Sequence, residues 1–326
     1  MSIVNATLPV KRSYYVVLNA RSGTAAALGL TAEALCSQLE QAGHQVSIDA
    51  DDETPFQERI ASALASKHDV IVAVGGDGTV SALDSALVAS EKILAVLPLG
   101  TVNSLAKDLK MPLEVDSWIA SLSEMEPRSI DVGEVNGRIF LHMVVIGLIP
   151  GMAAGREALR GRSELRAKLG LMRYFLRRLS RARRLAVQID PSNEAAKVQR
   201  VQAVAVTCNA FEEGFGRFLA RKTLDAGELT VYQLKHLGWA DVLRLAGKML
   251  LGKWQQDEAL SILKTSNVTI RSHKPRLQVM LDGEIESIAV PLEFRVRSLA
   301  LRVLASPTPG DAAQSAESGM RNGRLT

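Results

Sequence analysis

Cysteine is scarce in this chain: Cys36 and Cys208 are the only two in 326 residues. Lying so far apart, they exclude a disulfide framework and a thiolate metal cluster. Aromatic residues make up only 4%, so a core must be built from Val, Leu, Ile and Ala. No apolar run reaches the roughly eighteen residues that a membrane-spanning helix needs. The first twenty residues lack a charged-then-apolar leader with a cleavage site. The five histidines, His44, His68, His142, His236 and His273, have no partner at metal-ligand spacing. Neither a G-x-x-x-x-G-K-[ST] phosphate loop nor a G-x-G-x-x-G dinucleotide fingerprint is present. What is there is an ordinary globular balance, 47% hydrophobic and 23% charged, with a net charge of +4. The length suits two domains, and the composition predicts a cytoplasmic protein with reduced thiols.

The first third alternates two periods. Strand-like runs at Tyr14–Leu18, Val46–Ile48, Val70–Val74 and Ile93–Leu97 are separated by helical patterns. The helices are expected over 24–42, from an N-capping Thr54 with Pro55 in the first turn, and over Thr79–Val88. Such alternation predicts a parallel sheet covered on both faces, with ligands beyond the carboxyl ends of its strands. The loops at 19–23, 75–79 and 98–103 all fall at that edge.

After about residue 130 the texture becomes mostly antiparallel β. A hairpin is expected from Ser129–Val135 and Ile139–Ile146 around Asn136-Gly137. Further strands are expected at Leu185–Ile189, Val201–Cys208, Leu229–Leu234, Asn267–Arg271, Leu277–Leu281, Leu292–Val296 and 299–304, with helices at 157–184 and 239–251. The last residues lack large apolar side chains and predict a disordered tail over 306–326.

Three segments carry chemistry. V-G-G-D-G-T-V (Val74–Val80) follows the third strand. Its glycines let backbone amides approach a ligand, and the helix that follows offers its N-terminus to an anion. The plainer reading is a Gly-rich turn with Asp77 as an N-cap. P-L-G-T-V-N-S-L-A-K-D-L (Pro98–Leu109) repeats the arrangement after the fourth strand, where Thr101 or Asn103 could serve only as a cap. Two such loops at neighbouring strand ends, with N-A-R-S-G (Asn19–Gly23) after the first strand, point to one nucleotide-binding crevice. V-M-L-D-G-E (Val279–Glu284) comes last. Asp282-Gly283 is a hairpin signal, and Glu284 is either an exposed strand residue or a site residue.

In order and spacing, these segments and the I-D-V of Ile130–Val132 resemble the diacylglycerol kinase catalytic-domain family, which includes sphingosine and ceramide kinases. The resemblance spans roughly residues 12 to 304. It implies an α/β plus β architecture: an α/β ATP-binding domain with a parallel sheet at 12–131, joined by a returning strand at 298–305. An antiparallel β-sandwich lipid-substrate domain at 132–297 follows, with the active site in the cleft between the two. It implies transfer of the γ-phosphoryl group of ATP to a lipid hydroxyl, with Mg²⁺. By position, Gly75, Gly76, Asp77, Gly78, Thr79, Gly100 and Thr101 would meet the phosphates. Asn103 and Asn19 would line the site, and Asp49 is a further nucleotide candidate. Glu284 matches the family's proton acceptor.

Phosphoryl transfer needs positioning and charge neutralisation more than covalent help. A carboxylate beside phosphates makes sense if Mg²⁺ stands between them. Asp77 is therefore a magnesium organiser or, alternatively, the base, with Glu284 taking the other role. The family's metal loop resembles L-D-D-G-x-L, whereas this chain has T-L-D-A-G-E-L (Thr223–Leu229). Ala226 replaces the second acid, so a secondary site at Asp225 would lack one ligand.

Residues 156–184 hold eleven Lys/Arg against two Glu, with Leu165, Leu169, Met172, Leu176 and Leu179 at helical steps. The apolar stripe can pack on the β domain. The charges suit an anionic membrane surface, which Arg173, Arg177, Arg178 and Arg181 would face, making the protein peripherally membrane-associated. No groove-reading motif or stacking platform accompanies them, so nucleic acid is not expected as a partner. An NAD kinase-like phosphotransferase and a non-catalytic nucleotide-binding membrane sensor are the alternative functions. A homodimer is left open.

Overall fold

The computed structural model describes residues 12–19, 30–88, 90–100, 103–147, 184–192, 195–214, 220–221, 223–235 and 238–307. The chain divides into two units, Met1–Ser129 with Leu301–Thr326 and Ile130–Ala300.

The first unit is built on a parallel sheet. Its strands are β1 (Ser13–Leu18), β2 (Gln45–Asp49), β3 (Val70–Gly75) and β4 (Ile93–Pro98), in the order β2-β1-β3-β4. Every residue of β3 and β4 is buried, as expected of strands covered on both faces, while β2 at the edge has no buried residue. Helix α1 (Ala32–Gln41) turns in Leu35 and Leu39, and the positive φ of Gly43 follows its end. Helix α2 (Phe56–Ala65) starts at Pro55 rather than at Thr54, whose hydroxyl instead donates to Asp51 Oδ2 at 2.6 Å. Helix α3 (Asp77–Leu87) buries Val80, Leu83 and Leu87. The short helices α4 (Ser104–Asp108) and α5 (Val115–Ser121) follow, the latter burying Trp118.

Two long strands, β5 (Glu126–Val135) and β16 (Leu292–Ala305), contribute to both units. The end of β16 pairs in parallel with β4, Val303 opposite Leu94. The expected strands at 292–296 and 299–304 are thus one strand, kinked at Leu299, whose φ is 52°.

The second unit is an antiparallel β-sandwich. In one sheet β16 pairs with β5 and β13 (Asn267–Arg271), and β6 (Arg138–Phe140) pairs with β5. The same sheet continues through β8 (Leu185–Pro191) to β9 (Lys197–Val201). The other sheet takes β12 (Leu260–Thr265), β11 (Leu229–Leu234), β10 (Ala203–Cys208), β7 (Met143–Gly147), β14 (Arg276–Leu281) and β15 (Glu284–Ala289), in that order. Val144, Ile146, Val187, Ile189, Val204, Val206, Val279 and Phe294 lie in one buried cluster. β12 and β15 are additions to the strands read from sequence. The run expected at 139–146 is split into β6 and β7, that expected at 201–208 is β10 from Ala203 on, and β9, ending at Val201, is a further addition. One helix, α6 (Trp239–Leu250), lies among the described residues of this unit. The expected helix at 157–184, apart from Arg184, and the tail beyond 307 lie outside the described residues.

Candidate active site

In the first unit the chain leaves β1 for β2 on one side and returns to place β3 on the other. The order reverses between β1 and β3, where open α/β sheets bind ligands beyond their carboxyl ends. Asn19 and Gly75-Gly76 stand at that point. The Asn19 amide extends the ladder by donating to Val74 O at 3.0 Å. Its side-chain Nδ2 donates to the hydroxyl of Thr79 at 3.1 Å. Thr79 is therefore a tie between two strand ends rather than the cap of its own helix.

Helix α3 begins at Gly76 with no side-chain cap. Its first-turn amides and the positive end of its dipole are the kind of feature that takes an anion. Asp77 points away from this helix start and holds another. Its Oδ1 accepts from Ser104 N at 2.8 Å and its Oδ2 from Asn103 N at 3.1 Å, so it anchors the start of α4. Sequence reading offered an N-capping Asp77, and it does act as a cap, but 27 residues downstream of itself.

Asn103 adopts a left-handed φ of 52° and folds back on its own loop. Its Oδ1 accepts from Gly100 N at 2.8 Å, and its Nδ2 donates to Gly100 O at 2.9 Å. A Cβ on Gly100 would lie 2.6 Å from Asn103 Oδ1 and 2.8 Å from Gly76 Cα. The two glycine loops thus approach backbone to backbone, which only glycine permits. Asn19, Gly75, Gly76, Asp77, Thr79, Gly100 and Asn103 are each held by hydrogen bonds at this edge, with Gly78 in the same turn; Thr101 lies outside the described residues.

Asp49 is tied elsewhere. Its Oδ1 meets Arg59 Nε at 2.9 Å, and Arg59 is buried, also donating to Leu18 O and Asp49 O at 2.8 Å each. Arg59 escaped sequence reading because its partners are the ends of two strands, and nothing local distinguishes it from a solvated helix cation.

In the second unit Asp282-Gly283 forms the two-residue turn between β14 and β15. Both φ values are positive, 45° and 102°, as a type I′ turn requires. The Asp282 carboxylate accepts from the amides of Leu141, His142 and Met143 at 2.6, 3.0 and 2.8 Å. Burial pushes its carboxyl pKa up, against these donors and Arg221, which pull it down. These bonds also explain the break between β6 and β7. Glu284 is exposed at the start of β15, paired in register with Leu281.

The I-D-V aspartate has a role that sequence reading missed. Asp131, 1% exposed, accepts from Leu299 N at 2.9 Å and Gly227 N at 2.6 Å. Ala226 N donates to Asn209 Oδ1 at 3.2 Å. The T-L-D-A-G-E-L loop is therefore pinned through its backbone by Asp131 and Asn209. Asp225 is exposed, and no group of three His, Cys, Asp or Glu side chains suited to a metal exists among the described residues. An ion held by one carboxylate, waters and phosphates fits Asp77, whose two oxygens each keep a lone pair beyond the amide they accept. Arg173, Arg177, Arg178 and Arg181 lie outside the described residues. No helix among the described residues is long and apolar enough to cross a membrane.

Residues 13–135 match the family of the diacylglycerol kinase catalytic domain, and residues 153–305 match the YegS C-terminal NAD kinase beta sandwich-like domain. A diacylglycerol kinase of Bacillus subtilis is 27% identical over 268 residues, 79% of this chain and 84% of its own length. A Pseudomonas aeruginosa protein named "Probable lipid kinase YegS-like" is 38% identical over 151 residues, 45% of this chain and 48% of its own. A crystal structure of a diacylglycerol kinase from Bacillus anthracis superposes with a TM-score of 0.65 at 17% identity, over 92% of this chain and 99% of the other; it shares the fold.

Proposed function

We infer that this chain, which belongs to the diacylglycerol kinase catalytic-domain family, is an ATP-dependent lipid kinase, a phosphotransferase with an alcohol group as acceptor. The observation that carries the reading is the joining of two glycine loops at the reversal point of the parallel sheet through the carboxylate of Asp77. We propose diacylglycerol or a related lipid as the acceptor.

In this proposal the Gly75–Thr79 loop, through free first-turn amides of α3, and Thr101 receive the phosphates of ATP, with Gly100, Asn103 and Asn19 lining the same place. The amides need no reorganisation as charge develops, because Asp77 and Asn103 already fix their loops. Mg²⁺, when bound, would neutralise phosphate charge, held by Asp77 directly or through water. Glu284 would accept the proton of the attacking hydroxyl as the new O–P bond forms and the bond to the β-phosphate oxygen breaks. The two bonds that fix Asp77 support a positioning and metal-organising role for it. The exposed carboxylate of Glu284 supports a role as base. The exchanged assignment, with Asp77 as base, is tested by the same variants. The basic stretch at 156–184 would dock on an anionic lipid surface.

The second family's description, an NAD kinase-like sandwich, favours one rival, NAD as acceptor. Turnover of γ-labelled ATP against a panel of lipids and NAD separates the two. Label in a lipid supports the proposal; label only in NAD, or in no acceptor, overturns it.

A further inference from the structure

Helix α6 leaves apolar side chains at the surface. Its sequence, W-A-D-V-L-R-L-A-G-K-M-L, separates into two faces: Asp241, Arg244 and Lys248 on one, Val242, Leu243, Ala246, Met249 and Leu250 on the other. A surface helix ordinarily turns its apolar face to the core. Here the polar face is tied to the buried Asp257, although Arg244 keeps 42% of its side chain exposed. Asp257, with a side chain 0% exposed, accepts from Arg244 Nε and Nη2 at 2.9 and 3.0 Å and pairs with Lys248 Nζ at 3.1 Å. Asp241 completes the network at 2.9 Å from Arg244 Nη1, and Ala259 N donates to Asp257 at 3.0 Å. On the apolar face Leu243 is 57% exposed and Leu250 59%, with the C-capping Leu251 69% exposed beside them, while Val242 and Met249 are half-buried. None of the residues from Ala240 to Leu250 belongs to the buried core.

We propose that this face is a second membrane-contacting surface, inserted at the headgroup level of an anionic lipid bilayer. The inference rests on the lipid-kinase reading, because an enzyme that phosphorylates a lipid must reach it at a bilayer. Charge argues for lipid over a protein partner. Lys253 is exposed just beyond the leucines and Arg244 keeps 42% of its side chain exposed, while the acids Asp241 and Asp257 are engaged by Arg244 and Lys248. An apolar face edged by basic side chains is the make-up of interfacial helices. The buried Asp257 holds the cationic face so that the leucines cannot roll inward. The closing turn is fixed as well: Gly252 takes a φ of 67°, and Lys253 N donates to Lys248 O at 2.9 Å.

The test is sedimentation of the full chain with vesicles of phosphatidylglycerol and phosphatidylcholine in equal parts, and with phosphatidylcholine alone. It compares wild type with the triple variant Leu243→Ser, Leu250→Ser, Leu251→Ser. The expected result is a loss of partitioning onto the mixed vesicles of about tenfold or more. Melting temperature and turnover of a short-chain, water-soluble acceptor should stay unchanged, while turnover of the same headgroup presented in vesicles falls in proportion. Unchanged partitioning overturns the proposal. So does a wild-type dimer that the variant converts to monomer, which makes a second copy the occupant. A large drop in melting temperature with intact vesicle binding also overturns it, because the face would then be covered by this chain itself. If the variant loses partitioning while wild type phosphorylates no lipid, the surface stands and the kinase reading fails.

Discussion

Asp77 and Ser104 are joined by a 2.8 Å bond from a backbone amide to a carboxylate across 27 residues of sequence, and the neighbouring Asn103 amide takes the other oxygen at 3.1 Å. One side chain thereby locks the loop after β3 to the loop after β4. Asp77→Asn keeps one acceptor but sets an NH₂ group against the second amide. It should cost about 1–3 kcal/mol of stability and lower kcat by about a hundredfold or more. Denaturant melts and steady-state turnover read the two effects separately; wild-type values for both would refute the clasp.

Gly100→Ala tests the backbone approach of the two loops. Its new methyl would meet Asn103 Oδ1 and Gly76 Cα, both within 3 Å. The loops must move apart, which is expected to cost about 1–3 kcal/mol and to weaken ATP binding. Calorimetric titration with ATP should show the loss. An affinity equal to wild type would show that the approach is not needed.

The overall order of strands and helices was legible because it rests on local signals. Apolar runs mark β3 and β4, and N-G and D-G mark two type I′ turns, at Asn136-Gly137 and Asp282-Gly283. The missing strand β15 was implied by the second turn, since a hairpin needs two arms; Ile285 and Ile288, three residues apart, break the alternation that would have marked it. The tertiary clasps were not legible. Asp131 reaches Gly227 and Leu299, and Arg59 reaches Leu18 and Asp49, through pairings that no local pattern encodes. For α6 no local pattern encodes the tie of Arg244 and Lys248 to the buried Asp257.

Asp131→Ala should be among the costly single changes. It removes the acceptor of two amides in a buried place, Leu299 N and Gly227 N, where a lost buried partner costs about 1–3 kcal/mol each. Urea unfolding should show a total loss of about 2–5 kcal/mol. A change below half a kcal/mol, roughly the scatter of surface substitutions, would contradict the assignment.

Acid should destabilise the second unit through His142. Burial, aided by the Arg221 charge, lowers its pKa from 6.5 to about 3, and its ring lies 5.4 Å from that of Phe211. The unfolded chain therefore binds a proton before the folded chain does. Stability from this group is intact above pH 6.5 and is lost as pH falls from 6.5 towards 3. At pH 5 the loss should be about 2 kcal/mol relative to pH 7.5. His142→Gln should flatten that part of the profile, measured by urea midpoints; an identical slope in both proteins would refute it.

The central claim is that this chain moves a phosphoryl group from ATP to a lipid hydroxyl with Asp77 and Glu284 at the reacting groups. It is tested most directly by γ-labelled ATP turnover on a panel of lipids and NAD, with wild type, Asp77→Asn and Glu284→Gln side by side. The account predicts label in a lipid and a fall in kcat of about a hundredfold or more in each variant, while Glu284→Gln melts as wild type does. Label confined to NAD, or near-normal lipid turnover in both variants, would contradict it.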